Sequence, residues 1–235
     1  MNENWKGIWN KRKSADFITP DLRNLIDLDG FDSGAGRVEV EDWQRNAWTI
    51  AQHLGLLNGD SVFEVGCGAG AFLYALKQGH TINVGGIDYS ANLIHAAKKA
   101  IPEGDFTIGE AKDIKQDAKY DFVISHSVFH YFSMDYANKV LELMIGKANK
   151  AIAILEVPDL NLKSKAESSR RNILKQEEYD KKYLGLEHTY YSQDWFNHEA
   201  NRFGLQCDFL PCNTSIQGKY RFNCIIHLKK KFNNE

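Results

Sequence analysis

The chain has 235 residues, of which 43% are hydrophobic and 26% are charged, as in a globular protein with a sizeable core. Its 29 Lys and Arg residues are balanced by 31 Asp and Glu residues, and the net charge of -2 argues against a nucleic-acid partner, which needs a positive field. The absence of an apolar stretch long enough to span a bilayer argues against a membrane partner.

The chain begins with polar residues, and residues 2–6 lack the apolar core of a signal peptide. Its cysteines form no CxxC pair; they are Cys67, Cys207, Cys212 and Cys224. We therefore expect reduced thiols and a cytoplasmic protein. The expected oligomeric state is a monomer or a homodimer.

The N-terminal part precedes the first predicted strand. Apolar residues at helical spacing predict a helix that ends at Gly55, and they are Trp43, Ala47, Ile50, Ala51 and Leu54. Segment 29–37 holds three glycines and two aspartates, which is typical of a loop or lid. Two interpretations of Trp5, Trp9 and Trp43 stay open: a lid over a ligand, or packing at the sheet edge.

From residue 61 onward the pattern alternates between strands and helices. We expect strands at 61–65, 83–88, 105–108, 120–125 and 151–157. The strand at 105–108 is short, and the continuous apolar run at 120–125 is typical of a central parallel strand. Ser90 is the expected N-cap of the second intervening helix, and Gly146 is the expected end of the helix before the fifth strand. Alternating βα units predict a parallel sheet with helices on both faces.

After residue 158 the alternation breaks. Residues 159–187 are highly charged, helical in composition and too long for an ordinary connection, so we interpret them as an insertion. A helix is expected from Ser192 to Gly204, followed by strands at 207–210 and 222–228. The last strand alternates apolar and polar residues, which favours an antiparallel strand. The expected fold is Rossmann-like and doubly wound, with a mostly parallel sheet of seven strands.

The most informative stretch ends the first strand in Glu64 and a turn containing Gly66, Gly68 and Gly70. A second strand ends in Asp88, and this combination is typical of a nucleoside pocket. The turn lacks the last glycine of a dinucleotide motif, and Glu64 disfavours a diphosphate. A ligand with a positive centre and a ribose diol fits better.

Four blocks of sequence resemble the class I S-adenosylmethionine (SAM)-dependent methyltransferases of the small-molecule type. In the family's order and spacing they are residues 64–70 (EVGCGAG), 86–90 (GIDYS), 109–111 (GEA) and 120–125 (YDFVIS). The resemblance covers roughly residues 40–158 and implies SAM as cofactor, with S-adenosylhomocysteine (SAH) as its product.

The resemblance implies roles for individual residues. The glycines let the backbone pass beneath the methionine part of SAM, Asp88 holds the ribose hydroxyls, and Tyr89 and Glu110 hold the adenine. Ser125 and His126 reach the methionine end. The residues expected at the cofactor are Glu64, Gly66, Cys67, Gly68, Gly70, Asp88, Tyr89, Glu110, Ala111, Lys112, Ser125 and His126.

The acceptor side carries weaker signals. Ser125 stands where catechol-type enzymes hold a metal with an aspartate, so we expect no metal. A general base for a hydroxyl acceptor is expected among His126, His130 and His188, although a structural role in the aromatic loop remains open for each. The residues expected to bind the acceptor are Tyr131, Glu156, Tyr190 and Tyr191.

The sequence therefore predicts one methyltransferase domain over residues 1–235. Its expected parts are N-terminal cap or lid helices (1–57), a SAM-binding core (58–158), a helical insertion over the acceptor pocket (159–191), and a C-terminal helix with closing strands (192–235). The expected reaction is O-methylation of a sugar or secondary metabolite. The alternatives are a nicotinamide-dependent oxidoreductase and a non-catalytic SAM-binding regulatory subunit.

Overall fold

The computed structural model describes residues 3–10, 12, 20–32, 36–173, 186–212, 215 and 217–228. Seven strands form one sheet in the order β3-β2-β1-β4-β5-β7-β6. They are β1 (Ser61–Val65), β2 (Asn83–Asp88), β3 (Asp105–Ile108), β4 (Tyr120–His126), β5 (Ala148–Pro158), β6 (Gln206–Pro211) and β7 (Arg221–His227). Strand β7 is antiparallel to both of its neighbours, whereas β1 to β5 pair in parallel. The predicted fold class is confirmed.

Eight α-helices surround the sheet in the described part of the chain. They are α1 (Glu3–Asn10), α2 (Leu22–Leu28), α3 (Val40–Leu54), α4 (Ala71–Gly79), α5 (Ala91–Ala100), α6 (Met134–Lys147), α7 (Lys163–Ile173) and α8 (Gln193–Asn201). Two apolar cores, one on each face, hold them to the sheet: Trp43 and Phe72 are buried in one, and Met144 and Phe196 in the other. None of these helices is long and apolar enough to cross a membrane.

Helix ends show where local sequence signals decide the structure. Helix α3 ends at Gly55 in the left-handed conformation, as predicted. Gly146 does not end α6, because the helix continues to Lys147, whose buried ammonium is held by the carbonyls of Lys115 and Ala118. The chain passes straight from Lys147 into β5 and needs no glycine turn there. The predicted end at Gly146 was therefore wrong by one residue.

Ser90 occupies the N-cap position of α5, as predicted, but its hydroxyl makes no capping hydrogen bond. Its backbone N–H instead donates to Asp88 Oδ1 at 2.8 Å. The side chain of Asp88 thus organises the turn into α5, and Ser90 supplies only the backbone.

The segment after β5 contains one helix and then returns to the sheet. Helix α7 lies within it, and residues 174–185 are outside the described residues. Further along, Thr189 donates its backbone N–H to the carbonyl of His130 at 2.9 Å. This hydrogen bond holds the end of the segment at the carboxyl edge of the sheet, next to the end of β4.

Candidate functional site

A cavity of about 330 Å³ lies at the carboxyl edge of the sheet. Its walls come from the ends of β1, β2, β4 and β5, and from residues of α1 and of the loop after α2. This is the edge at which doubly wound sheets bind their ligands. One end of the cavity holds the glycine turn, and the other holds the three histidines proposed from the sequence.

The glycine turn requires its glycines. Gly66, Gly68 and Gly70 have φ angles of +72°, +51° and +82°, which L-residues with a Cβ adopt at a cost. A Cβ on Gly68 would lie 2.2 Å from Asp29 Oδ1, and one on Gly66 would lie 2.6 Å from a methyl group of Val128. The turn therefore leaves a strip of bare backbone on the cavity wall.

Asp88 orders this turn as well as facing the cavity. Its Oδ2 accepts the N–H of Gly68 at 3.1 Å, and its Oδ1 accepts the N–H of Ser90 at 2.8 Å. Burial raises the pKa of Asp88 to about 6, against the lowering effect of those two N–H groups. Asp88 therefore holds the turn and the start of α5 while its side chain still lines the cavity.

Two further carboxylates lie beside Asp88. Glu64 is 3% exposed, and its Oε2 has no hydrogen-bond partner among the described residues. Asp29, in the loop after α2, accepts the N–H groups of Ala69 at 2.6 Å and Ala71 at 3.2 Å. Burial raises the pKa of Glu64 well above its usual value and that of Asp29 to about 7. This end of the cavity is suited to a cation.

The adenine side is built from the ends of β2 and β3. Tyr89, Glu110 and Ala111 line the cavity, and the Tyr89 hydroxyl has no partner among the described residues. The Tyr136 hydroxyl donates to Glu110 Oε2 at 3.3 Å and accepts the N–H of Lys112 at 3.2 Å. Glycine backbone, three acids and a tyrosine thus fit SAM, which carries positive charge, a ribose and an adenine.

His126 is the last residue of β4 and packs among aromatic rings at the cavity wall. Its ring stacks on Phe72 with centroids 4.8 Å apart and meets the edge of Trp43 at 4.9 Å. It is 6% exposed, and its Nε2 has no partner in the described part of the chain. Burial lowers the pKa of His126 to about 4, so the ring is neutral at physiological pH.

The other two histidines form a second group. The ring centroids of His130 and His188 are 4.4 Å apart, and Trp5 of α1 stacks on His188 at 5.3 Å. His188 Nδ1 lies 3.1 Å from a guanidinium nitrogen of Arg170 in α7. Burial lowers the pKa of both histidines well below the usual value, and neighbouring positive charge adds to this effect.

Strained backbone marks the acceptor end. Ser127 and Glu156 have φ angles of +57° and +58°, the positive values found among non-glycine residues that the structure describes. Glu156 interrupts the register of β5 with β7, and Asn223 accepts its backbone N–H at 2.9 Å. Arg221 donates to Ser127 Oγ and to Glu156 Oε2, both at 3.2 Å. Strain of this kind is often kept where function requires it.

Most residues expected at the site line one cavity, and a few lie outside its lining. Those outside are Gly70, Lys112, Ser125, Tyr190 and Tyr191. The Ser125 hydroxyl donates to the carbonyl of Val65, and that of Tyr191 donates to the carbonyl of Phe129. Both side chains therefore support the site from behind. Among the described residues, no group of three His, Cys, Asp or Glu side chains is placed to hold a metal ion.

Among the cavity-lining residues that the sequence did not indicate, Asp29, Gln217 and Arg221 bear most directly on the chemistry. Arg221 begins the strand predicted from residue 222, and its charge at the start of a buried strand was the available signal. Asp29 belongs to a segment interpreted as a loop or lid. No local pattern indicates that its carboxylate reaches a turn 40 residues further along.

Comparisons with known proteins agree with this geometry. Residues 62–146 match the family model described as "Methyltransferase domain". The plantazolicin methyltransferase BpumL in complex with SAH is similar in fold, with 17% identity, a TM-score of 0.63, and 96% of this chain and 97% of that chain covered. Magnesium protoporphyrin IX methyltransferase (ChlM) from Synechocystis PCC 6803 with bound SAM has 15% identity, a TM-score of 0.60, and coverage of 96% and 92%.

A third similar structure is a putative methyltransferase in complex with the Haloferax volcanii Trm112 methyltransferase activator. It has 18% identity and a TM-score of 0.56, and the alignment covers 84% of this chain and 96% of that chain. At such identities the structures establish the fold, and the family match spans the glycine turn, Asp88 and His126. These findings favour the methyltransferase over the nicotinamide-dependent alternative: residues 62–146 match a methyltransferase domain, and the chain has the fold of the class I SAM-dependent methyltransferases.

Proposed function

We propose that the enzyme methylates a hydroxyl group of a small polar molecule, a sugar or a hydroxylated secondary metabolite, and that His126 accepts the hydroxyl proton. The observation that supports this most is a set of buried polar atoms without partners among the described residues. At the acceptor end they are His126 Nε2, His130 Nδ1, Glu156 Oε1 and Gln217 Nε2. An unsatisfied buried polar atom costs roughly 1–3 kcal/mol, so a ligand with several hydroxyl groups is a natural partner.

The size and walls of the cavity support a small acceptor. The cavity of about 330 Å³ lies in the range of small-molecule sites, about 300–1,000 Å³. Trp5 and Tyr131 pack against each other at 4.7 Å on the same wall. Their rings offer an apolar face beside the polar atoms, as a sugar ring or an aromatic metabolite requires.

Surrounding charge favours His126 over His130 as the base. The Glu156 carboxylate raises the pKa of His126, in opposition to burial and to Arg221. At His130, by contrast, burial and the charged neighbours all lower the pKa of the ring. These neighbours are His188, Arg221, Arg170 and His126. The imidazolium formed by accepting a proton is thus stabilised by a carboxylate at His126 and opposed by cations at His130.

His188 is suited to donating a hydrogen bond. An arginine side chain can only donate hydrogen bonds, so His188 Nδ1, which lies 3.1 Å from Arg170, accepts the hydrogen bond between them. The neutral ring then carries its proton on Nε2 and has no second nitrogen able to take one. We therefore assign His188 to holding the acceptor and not to general base catalysis.

SAM supplies an activated methyl group and its own leaving group, so three tasks are left to the protein. The protein aligns the acceptor oxygen, excludes water and removes one proton. Alignment contributes up to about 7–11 kcal/mol in well-oriented systems, and a general base adds about 10²–10⁴-fold. Glu156 Oε1 is placed to accept a hydrogen bond from the acceptor while Arg221 holds Oε2.

The test is methyl transfer from isotopically labelled SAM to a panel of matched compounds. Sugars, phenols and hydroxy acids are compared with their amino counterparts, and mass spectrometry locates the label. We expect label on oxygen, and a loss of turnover of about 10²-fold or more in His126→Gln, the lower range for removing a general base. His95→Gln, on the exposed face of α5, is the matched control. Label found on nitrogen alone, or equal turnover of His126→Gln and the control, contradicts the proposal.

A further inference from the structure

We propose that Asp29 is a third carboxylate of the SAM site, which holds the glycine turn from outside the sheet and faces the positive charges of the cofactor. Cofactor binding and ionisation of Asp29 are then coupled. This inference concerns the cofactor end of the cavity and does not depend on the acceptor proposed above.

The first support is the position of the side chain. Asp29 lines the cavity, and its two carboxylate oxygens accept the N–H groups of Ala69 and Ala71 at the beginning of α4. Its Oδ1 comes so close to Gly68 that a Cβ there would lie 2.2 Å away. Asp29 therefore fixes the glycine turn, and the two N–H groups hold the Asp29 carboxylate at the cavity wall.

The backbone of Asp29 is fixed as well. It is the C-cap of α2, and its N–H donates to the carbonyl of Leu25 at 3.0 Å. The guanidinium of Arg12 donates to the carbonyls of Asp27 and Leu28, directly before it. These backbone hydrogen bonds fix the position from which the Asp29 carboxylate reaches the glycine turn.

An independent observation points to a ligand. Glu64 is almost fully buried in the same wall, and its Oε2 has no partner among the described residues. A buried carboxylate without a cation is costly, and three of them repel one another. The charges that act on Asp29 are those of Asp88 at the end of β2, Glu64 in β1 and Arg12 after α1. Arg12 also pairs with Asp32, so its charge is shared.

A cationic ligand completes this arrangement. SAM brings an ammonium and a sulfonium group, and SAH brings the ammonium alone. Positive charge beside the carboxylates favours their ionised form. In the ligand-free protein burial raises the pKa of Asp29 to about 7, so part of the population is protonated at neutral pH. On binding, the carboxyl O–H of Asp29 gives its proton to the buffer and the carboxylate faces the cation.

Isothermal titration of SAH into the full-length protein at pH 7, in phosphate and in Tris, measures the protons released on binding. For a group of pKa about 7, we expect Asp29 to contribute about half a proton released per SAH, and an affinity about tenfold higher at pH 8 than at pH 6. Asp29→Asn should reduce the release and weaken binding several-fold. Asp27→Asn, in the same turn but outside the cavity lining, should behave as the wild type.

Equal proton release by Asp29→Asn and wild type overturns the proposal. If Asp29→Asn does not fold, the wild type alone decides, because an SAH affinity that is constant between pH 6 and 8 also overturns it. No arm of the experiment uses methyl transfer, so its failure is distinguishable from failure of the proposed acceptor chemistry.

Discussion

Gly68→Ala is expected to destabilise the ligand-free enzyme far more than the same change at another left-handed glycine. Gly68 and Gly55 have φ angles of +51° and +67°, and a left-handed backbone costs alanine about 1–2 kcal/mol. A Cβ at Gly55 meets nothing within 4 Å, whereas one at Gly68 displaces Asp29. The N–H groups of Ala69 and Ala71 then lose their acceptor, at roughly 1–3 kcal/mol each. We expect about 1–2 kcal/mol for Gly55→Ala and about 3 kcal/mol or more for Gly68→Ala.

Urea denaturation at pH 6 provides the free energies of unfolding, because Asp29 is then mostly protonated and its burial carries little charge penalty. The same two substitutions are repeated in an Asp29→Ala background. With no carboxylate to displace, Gly68→Ala should there cost about 1–2 kcal/mol, like Gly55→Ala. If Gly68→Ala costs the same in both backgrounds, Asp29 does not lie against the turn and the reasoning is refuted.

Three further outcomes follow from the site. Asp88→Ala removes the acceptor of two turn N–H groups and the expected ribose ligand, so SAH affinity measured by calorimetry should fall at least about tenfold; unchanged affinity would contradict this role. The pKa of Asp29 is raised on folding, so its contribution to stability is present at low pH and is lost as pH rises through about 7. Asp29→Asn should therefore gain stability relative to wild type between pH 5 and 8, by up to about 3 kcal/mol, and a constant difference in thermal unfolding would count against it. Glu156→Gln should lower kcat by about tenfold, through loss of the charge that stabilises protonated His126; the pKa of His126 should fall with it, so the decline of the rate at acid pH should move to lower pH than in wild type, and an unchanged kcat would remove Glu156 from the mechanism.

The sheet was predictable because its signals are local. The first three strands have the predicted bounds, since each is a short run that ends at a turn. The glycine turn and Asp88 could also be placed, because both directly follow strands whose carboxyl ends meet at one edge. Gly146 shows the limit, because a glycine ends a helix only where the chain must turn left-handed.

The acceptor end was less predictable because tertiary contacts decide it. The strain at Ser127 and Glu156 depends on Arg221, which lies 65 residues from Glu156 in sequence and joins the two strand ends. The same holds for Asp29, whose loop composition does not indicate where its carboxylate goes. Sequence alone predicted three candidate bases, and the charges around each histidine were needed to rank them.

A structure of the enzyme with SAH bound tests the account most directly. We expect the ribose on Asp88, the adenine between Tyr89 and Glu110, and the ammonium among Asp29 and Glu64. The sulfur should point toward His126 and Oε1 of Glu156. SAH bound with its sulfur turned away from His126, or its amino group remote from the carboxylates, would contradict the account.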